Sequence, residues 1–201
     1  MKPIDFFFSI GSTYTFLTVM RLPAFARTHN VTINWRPFNV RTILVEQNNI
    51  PFAGKPVKAA YMWRDIERRA ERYGLTVQLP APYPLEKLPL ANQVALLGMQ
   101  EGWGQAYVIA TYRRWFQDGQ PAGSDPNLSE SLKEIGQDPA RVVEAATSSA
   151  IEDALATETE AAKQLGVFGA PSFVIESEVF WGDDRLEDAV SWARSGRVNA
   201  R

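Results

Sequence analysis

The sequence predicts an α/β fold in which a small sheet, built from the two ends of the chain, is interrupted by a large all-helical insertion. Three observations predict it. A strand, a helix and a second strand follow one another within about the first 40 residues. Helical patterns then succeed each other to about residue 166 with no convincing strand between them. Strand signals return only after that point, ahead of a last helix. The order β, α, β favours a parallel pair, and the trailing ββα completes the sheet. No repeat or low-complexity tract suggests another plan. The division this implies is 1–41 with 166–201 for the sheet domain and 42–165 for the insertion, with a cleft between the two as the place for chemistry.

Each element has its own reason. Ile4-Asp5-Phe6-Phe7-Phe8-Ser9-Ile10 is rich in aromatic and β-branched residues and is closed by Gly11, which suits a strand buried on both faces. Ser12 stands at the position of a helix N-cap, and Phe16, Met20 and Leu17 would form the inward stripe of the helix that follows. Pro23 either kinks this helix or opens a second one. Residues 31–38 alternate apolar and polar over their first six positions, the pattern of a strand. Helical patterns occupy 59–73, 92–101 and 105–116, punctuated by Gly54-Lys55-Pro56, by the proline-rich stretch 80–84 and by the loop 118–126. A helix carrying Ile151, Leu155, Ala162 and Leu165 ends at Gly166, the usual residue for a left-handed C-terminal cap. Strands return at Ser172-Phe173-Val174-Ile175 and Val179-Phe180-Trp181, and a helix over about 185–194 closes the chain.

Composition removes whole classes of function. The 201 residues are 45% hydrophobic and 22% charged, as in a soluble globular protein. A net charge of -2 leaves no footprint for a nucleic-acid backbone or an anionic membrane. The absence of cysteine excludes disulfides, thiolate metal sites, cysteine nucleophiles and dithiol redox chemistry together. The single His29 excludes a two-histidine zinc site, and no metal is expected; its place ahead of a strand suits a helix C-terminus, where it partners the dipole. A serine hydrolase has little support, since no Gly-x-Ser-x-Gly elbow is present and only His29 could be the base. Neither a signal-peptide pattern nor an apolar run of membrane-spanning length is present, so a cytoplasmic protein is expected.

Chemistry concentrates at two junctions. Ser12 follows the first strand, with Ser9, Thr13 and Thr15 as rival hydroxyls. Pro171 opens the third strand after the small residues Gly169 and Ala170; it is either a plain strand opener or a cis proline, which would turn the Ala170 N–H and C=O outward to pair with a bound peptide.

Asp5-Phe6-Phe7-Phe8 with Ser12, Gly166-Val167-Phe168-Gly169-Ala170-Pro171, and Phe180-Trp181-Gly182-Asp183-Asp184-Arg185-Leu186 resemble the 2-hydroxychromene-2-carboxylate isomerase family and the related kappa-class glutathione transferases. The resemblance implies a thioredoxin-like domain with a helical insertion of the DsbA type, glutathione as cofactor and a homodimer. It places the catalytic serine at Ser12, where a hydroxyl and a helix N-terminus favour thiolate over thiol in bound glutathione. It makes Pro171 the family's cis proline and Ala170 the residue whose backbone holds the cysteinyl part of glutathione. Asp183 and Asp184 would accept hydrogen bonds from the γ-glutamyl ammonium, or cap the last helix.

Asn49-Ile50-Pro51 resembles the family's Asn-x-Pro segment, whose Asn contacts glutathione or substrate, although Asn48 competes for that role. Asn92 falls where the family often has a cleft-facing Asn. Lys58, Tyr61 and Arg64 lie at helical spacing and would attract a substrate carboxylate, on a helix whose interleaved charges also read as a solvated face. The chain departs from the commonest family pattern at Ser9, where many relatives have an acidic residue, and at Thr13, where they have Pro. The reaction so implied is reversible thiolate addition to a conjugated intermediate of aromatic degradation, bond rotation and elimination. The alternatives are a kappa-like glutathione transferase and a non-catalytic thioredoxin-fold module that binds a thiol or peptide.

Overall fold

The computed structural model describes residues 2–52 and 54–198. In chain order its elements are β1 (Ile4–Phe8), α1 (Thr13–His29), β2 (Ile33–Pro37), α2 (Val40–Glu46), α3 (Pro56–Arg72), α4 (Leu88–Glu101) and α5 (Gly104–Gln117). Then come α6 (Asn127–Glu134), α7 (Pro139–Ala146), α8 (Ser149–Gln164), β3 (Ser172–Ile175), β4 (Glu178–Trp181), a 3-10 turn Asp183–Arg185 and α9 (Leu186–Ser195). The strands form one sheet in the order β2-β1-β3-β4. β1 runs parallel to β2, with Phe6 opposite Trp35, and antiparallel to β3, with Phe6 opposite Phe173. β4 returns antiparallel to β3.

β1 is the middle of the molecule because both of its faces are apolar. Ile4, Phe6 and Phe8 are buried on one face, where Phe6 stacks on Phe8 and Phe173 at 5.4 Å. Phe7 is buried on the other with Phe38, Val40 and Val174. The edge strand β2 ends on Pro37, a position that loses no ladder hydrogen bond by lacking an N–H.

α1 passes through Pro23 as one helix, so this proline opens no second helix. It ends where Asn30 takes the left-handed conformation (φ 49°) and donates its N–H to the carbonyls of Ala26 and Arg27. His29 closes the last turn with its ring on Phe25 at 4.1 Å. The insertion also contains α2, α6 and α7, each of eight residues or fewer and too short to show a full apolar period.

The insertion grips the start of α1. Phe116 of α5 stacks on Phe16 of α1 at 4.2 Å, and Trp115, Tyr107 and Tyr112 are wholly buried beside them. The core therefore runs without a break from the sheet into α3–α8. Among the described residues no helix is long and apolar enough to cross a membrane.

Candidate functional site

The site begins where β1 turns into α1. Gly11 sits at φ +138°, a conformation side chains rarely adopt, and a Cβ there would lie 2.3 Å from Leu88 Cδ1. The turn is thus pressed against α4, and it delivers Ser12 to the N-cap of α1. The Ser12 side chain makes no capping bond. Its hydroxyl instead donates to the Ala170 carbonyl at 2.7 Å. The first N–H groups of a helix have no partner within it, the general condition under which a helix N-terminus favours an anion.

The rival hydroxyls are withdrawn. Ser9, Thr13 and Thr15 are all buried. Ser9 Oγ accepts from the Val40 N–H at 3.4 Å, and the Thr13 hydroxyl donates to Met62 Sδ at 3.0 Å. Ser12 is the one of the four that keeps contact with solvent.

Across from Ser12 the chain crosses into β3. The Ala170–Pro171 peptide is cis, and Pro171 itself is buried. The Ala170 N–H forms no hydrogen bond among the described residues, so this short stretch has a donor to spare. The Pro171 carbonyl accepts from the Gly182 N–H at 2.9 Å, which ties the proline to the Asp183–Arg185 turn. Trp181 closes on Gly169, where a Cβ would come within 2.6 Å of Nε1, and packs on Phe168 at 5.0 Å.

The two aspartates differ. Asp183 is buried and its carboxylate accepts from three internal donors: Thr18 Oγ1 at 2.9 Å, Tyr73 hydroxyl at 2.9 Å and Arg21 Nε at 3.2 Å. It ties α1 and the end of α3 to the final turn, and its burial, with three internal donors already bound, makes it the less accessible of the two to a ligand ammonium. Asp184 has 38% of its side chain exposed, facing Arg69 at 3.5 Å and Arg185 at 3.4 Å. Of the pair it is the residue a ligand can reach.

Asn92 also lies in the interior. It is fully buried and bridges elements rather than facing a cleft: Oδ1 accepts from the Ile10 N–H at 2.8 Å, and Nδ2 donates to the carbonyls of Ile10 at 3.0 Å and Leu88 at 2.8 Å. A single Asn has the right groups to satisfy one residue's N–H and C=O at once, which sequence cannot distinguish from a ligand contact.

The remaining candidates are peripheral. Asn49 is exposed, its N–H closing the end of α2 on the Leu44 carbonyl at 2.9 Å, while Asn48 takes the left-handed turn position at φ 51°. Tyr61 is 61% exposed. Arg64 sits on the solvated face of α3, paired with Glu67. Lys58 stands over the Phe52 ring at 5.7 Å.

Phe52 belongs to a group of rings that the sequence reading missed. Tyr83 meets both Phe52 and Trp63 edge-on at 6.1 Å, and Trp63 follows Met62, which carries the Thr13 contact. Arg41 donates to the Leu85 carbonyl at 3.3 Å at the edge of this wall. These rings come from three separate stretches, so no local pattern announces them. Beyond Ser12, Tyr14 is half-buried and donates to Asp65 at 3.1 Å. Burial and the Asp65 carboxylate push its phenol well above the usual tyrosine range, so it stays protonated well into alkaline pH.

Among the described residues no group of three or more His, Cys, Asp or Glu is placed to hold a metal ion. The chain is similar to the 2-hydroxychromene-2-carboxylate isomerase of Sphingobium xenophagum, 29% identical over 188 residues that cover 92% of this chain and 95% of that protein. It is also similar to glutathione S-transferase kappa 1 of Caenorhabditis elegans, 24% identical over 197 residues covering 91% and 87% of the two chains. A solved 2-hydroxychromene-2-carboxylate isomerase structure superposes with a TM-score of 0.80 at 24% identity, covering 91% of this chain and 90% of the other. Residues 3–191 match the family described as the DSBA-like thioredoxin domain, and the chain belongs to that family.

Proposed function

We propose that this protein is a glutathione-dependent isomerase of the 2-hydroxychromene-2-carboxylate type. One observation carries the reading: in a chain without cysteine, the accessible hydroxyl at the N-terminus of α1 stands 2.7 Å from the carbonyl that precedes Pro171. A helix N-terminus and a hydroxyl donor favour an anion there, and an unused backbone N–H at Ala170 favours an extended peptide beside it. Those features fit a thiol-bearing tripeptide. Glutathione, when bound, supplies the nucleophilic thiol that the chain lacks.

The residues divide the work as follows. Ser12 donates to the sulfur after a single-bond rotation away from the Ala170 carbonyl, which is then free to accept from the ligand. Ala170 and Pro171 hold the cysteinyl backbone, and Asp184 receives the γ-glutamyl ammonium, with Asn49 at the outer edge. Phe52, Trp63 and Tyr83 present an apolar wall to an aromatic substrate, with Lys58, Tyr61 and Arg41 positioned for its carboxylate. The cytoplasmic setting and the homodimer implied by the resemblance belong to the same proposal.

Titrating glutathione bound to the protein, with thiolate absorbance as the signal, tests the reading. The thiol should ionise closer to neutrality than its free value of about 8.5, and Ser12→Ala should restore that value. Failure of glutathione to bind, or a Ser12→Ala variant that ionises it as the wild type does, would overturn the proposal. The similarity to a kappa-class transferase supports a second outcome in which glutathione stays attached to an electrophile. Product mass separates the two: an isomer has the mass of its substrate, a conjugate does not.

A further inference from the structure

Two buried side chains of the insertion reach across to the turn that carries Ser12, and neither has a role in the chemistry above. The Tyr112 hydroxyl of α5 lies 2.9 Å from the Ser9 carbonyl and 3.1 Å from the Ser12 carbonyl, and its one proton is shared between them. Asn92 of α4 takes up the N–H and C=O of Ile10. Together they satisfy the backbone on both sides of Gly11, whose φ of +138° is a conformation residues with side chains rarely adopt. Buried carbonyls that lose a donor do not stay where they are, because an unmade hydrogen bond is costly away from water. The turn is therefore held from outside the sheet, by side chains more than 80 residues away in sequence.

We propose that Tyr112 and Asn92 are positioning residues for Ser12, through which the insertion sets the angle of its hydroxyl toward a bound thiol. The inference rests on the function proposed above. Ser12 holds its hydroxyl by one bond to Ala170 and no capping bond, so nothing in its own side chain fixes its direction once a ligand competes for it. The backbone on which it stands must do so, and Tyr112 grips the Ser12 carbonyl itself. Tyr112 suits the task because complete burial holds its phenol protonated, and therefore a donor, far above any working pH.

The test is a cycle of four proteins: wild type, Tyr112→Phe, Ser12→Ala and the double variant. Glutathione affinity is measured by calorimetry and thiol ionisation by thiolate absorbance. Tyr112→Phe should bind glutathione within about threefold of wild type, yet show about tenfold less thiolate at a pH below both ionisation midpoints. In the Ser12→Ala background the same substitution should change ionisation by less than about twofold, since a residue acting through Ser12 has nothing left to position. A folded Tyr112→Phe with wild-type ionisation, or an equal effect with and without Ser12, would overturn the inference. If Tyr112→Phe does not fold, Asn92→Ser takes its place with the same expected and overturning results. A wild-type protein that leaves the thiol at its free value refutes the proposed function itself, and that failure is visible before any Tyr112 variant is compared.

Discussion

Replacing Asp183 separates an internal anchor from a ligand carboxylate. Its side chain is 1% exposed and receives the Thr18 hydroxyl at 2.9 Å, the Tyr73 hydroxyl at 2.9 Å and Arg21 Nε at 3.2 Å. Asp183→Ala leaves two hydroxyls without an acceptor and strips a guanidinium, itself only 13% exposed, of one partner. Arg21 keeps the Asp183 backbone carbonyl and Glu187, both at 2.6 Å, so the loss is not that of a fully abandoned charge. Breaking a buried ion pair by deleting one side costs about 3–5 kcal/mol, and the surviving contacts of Arg21 put this case near the lower end.

Asp183→Asn retains an acceptor for Thr18 and Arg21 and should lose about 1–3 kcal/mol, the value of charge-assisted bonds exchanged for neutral ones. With a urea slope of about 2 kcal/mol/M, the alanine variant should unfold about 1.5 M earlier and the asparagine variant less so. Bound-glutathione affinity, measured where each variant is folded, should change little for Asp183→Asn and fall about tenfold for Asp184→Ala, whose own stability stays near wild type. An Asp183→Ala protein that unfolds at the wild-type midpoint while losing glutathione would refute the reasoning and return Asp183 to the ligand.

Two further outcomes follow from the geometry. Gly11→Ala combines an unfavourable φ with a clash on Leu88, and should cost about 2–4 kcal/mol in thermal or urea unfolding. Adding Leu88→Ala should relieve the clash without relieving the backbone, so a Gly11→Ala protein as stable as wild type would contradict the turn described. Tyr14, Tyr73, Tyr83, Tyr107 and Tyr112 are all pushed above the usual phenol range, with burial the largest cause in each. A raised folded-state value means stability that is complete below about pH 10 and is lost as pH climbs toward the folded-state values. In a Tyr61→Phe protein, where only these five remain, tyrosinate absorbance should therefore appear together with loss of structure on alkaline titration; ionisation near pH 10 while that protein is still folded would count against it.

Much of the molecule was legible along the chain. Phe6, Phe7 and Phe8 in one run required a strand covered on both sides, and Gly11 followed by Ser12 marked the end of that strand and the start of a helix. Short helices such as α6 and α7 escaped because two turns carry too few apolar positions to declare a period. The geometry of the candidate site was legible where its parts are consecutive, at the strand-to-helix turn holding Ser12 and at the cis Ala170–Pro171 peptide. It was illegible where one residue type serves two purposes. Asn92 and Asp183 both carry groups a ligand would want, and both spend them on backbone and side chains from other elements.

The residues by themselves determined that the chemistry of this chain has no thiol of its own and little histidine to work with, and where a helix must begin behind a buried strand. Which of four neighbouring hydroxyls stays within reach of a ligand was decided only by packing, because burial of Ser9, Thr13 and Thr15 depends on α2, α3 and the rest of the core closing over them. The meeting of Ser12 with Ala170 across 158 positions of sequence is likewise a property of the β1–β3 pairing, since hydrogen bonds between distant residues exist only once a sheet has set their register.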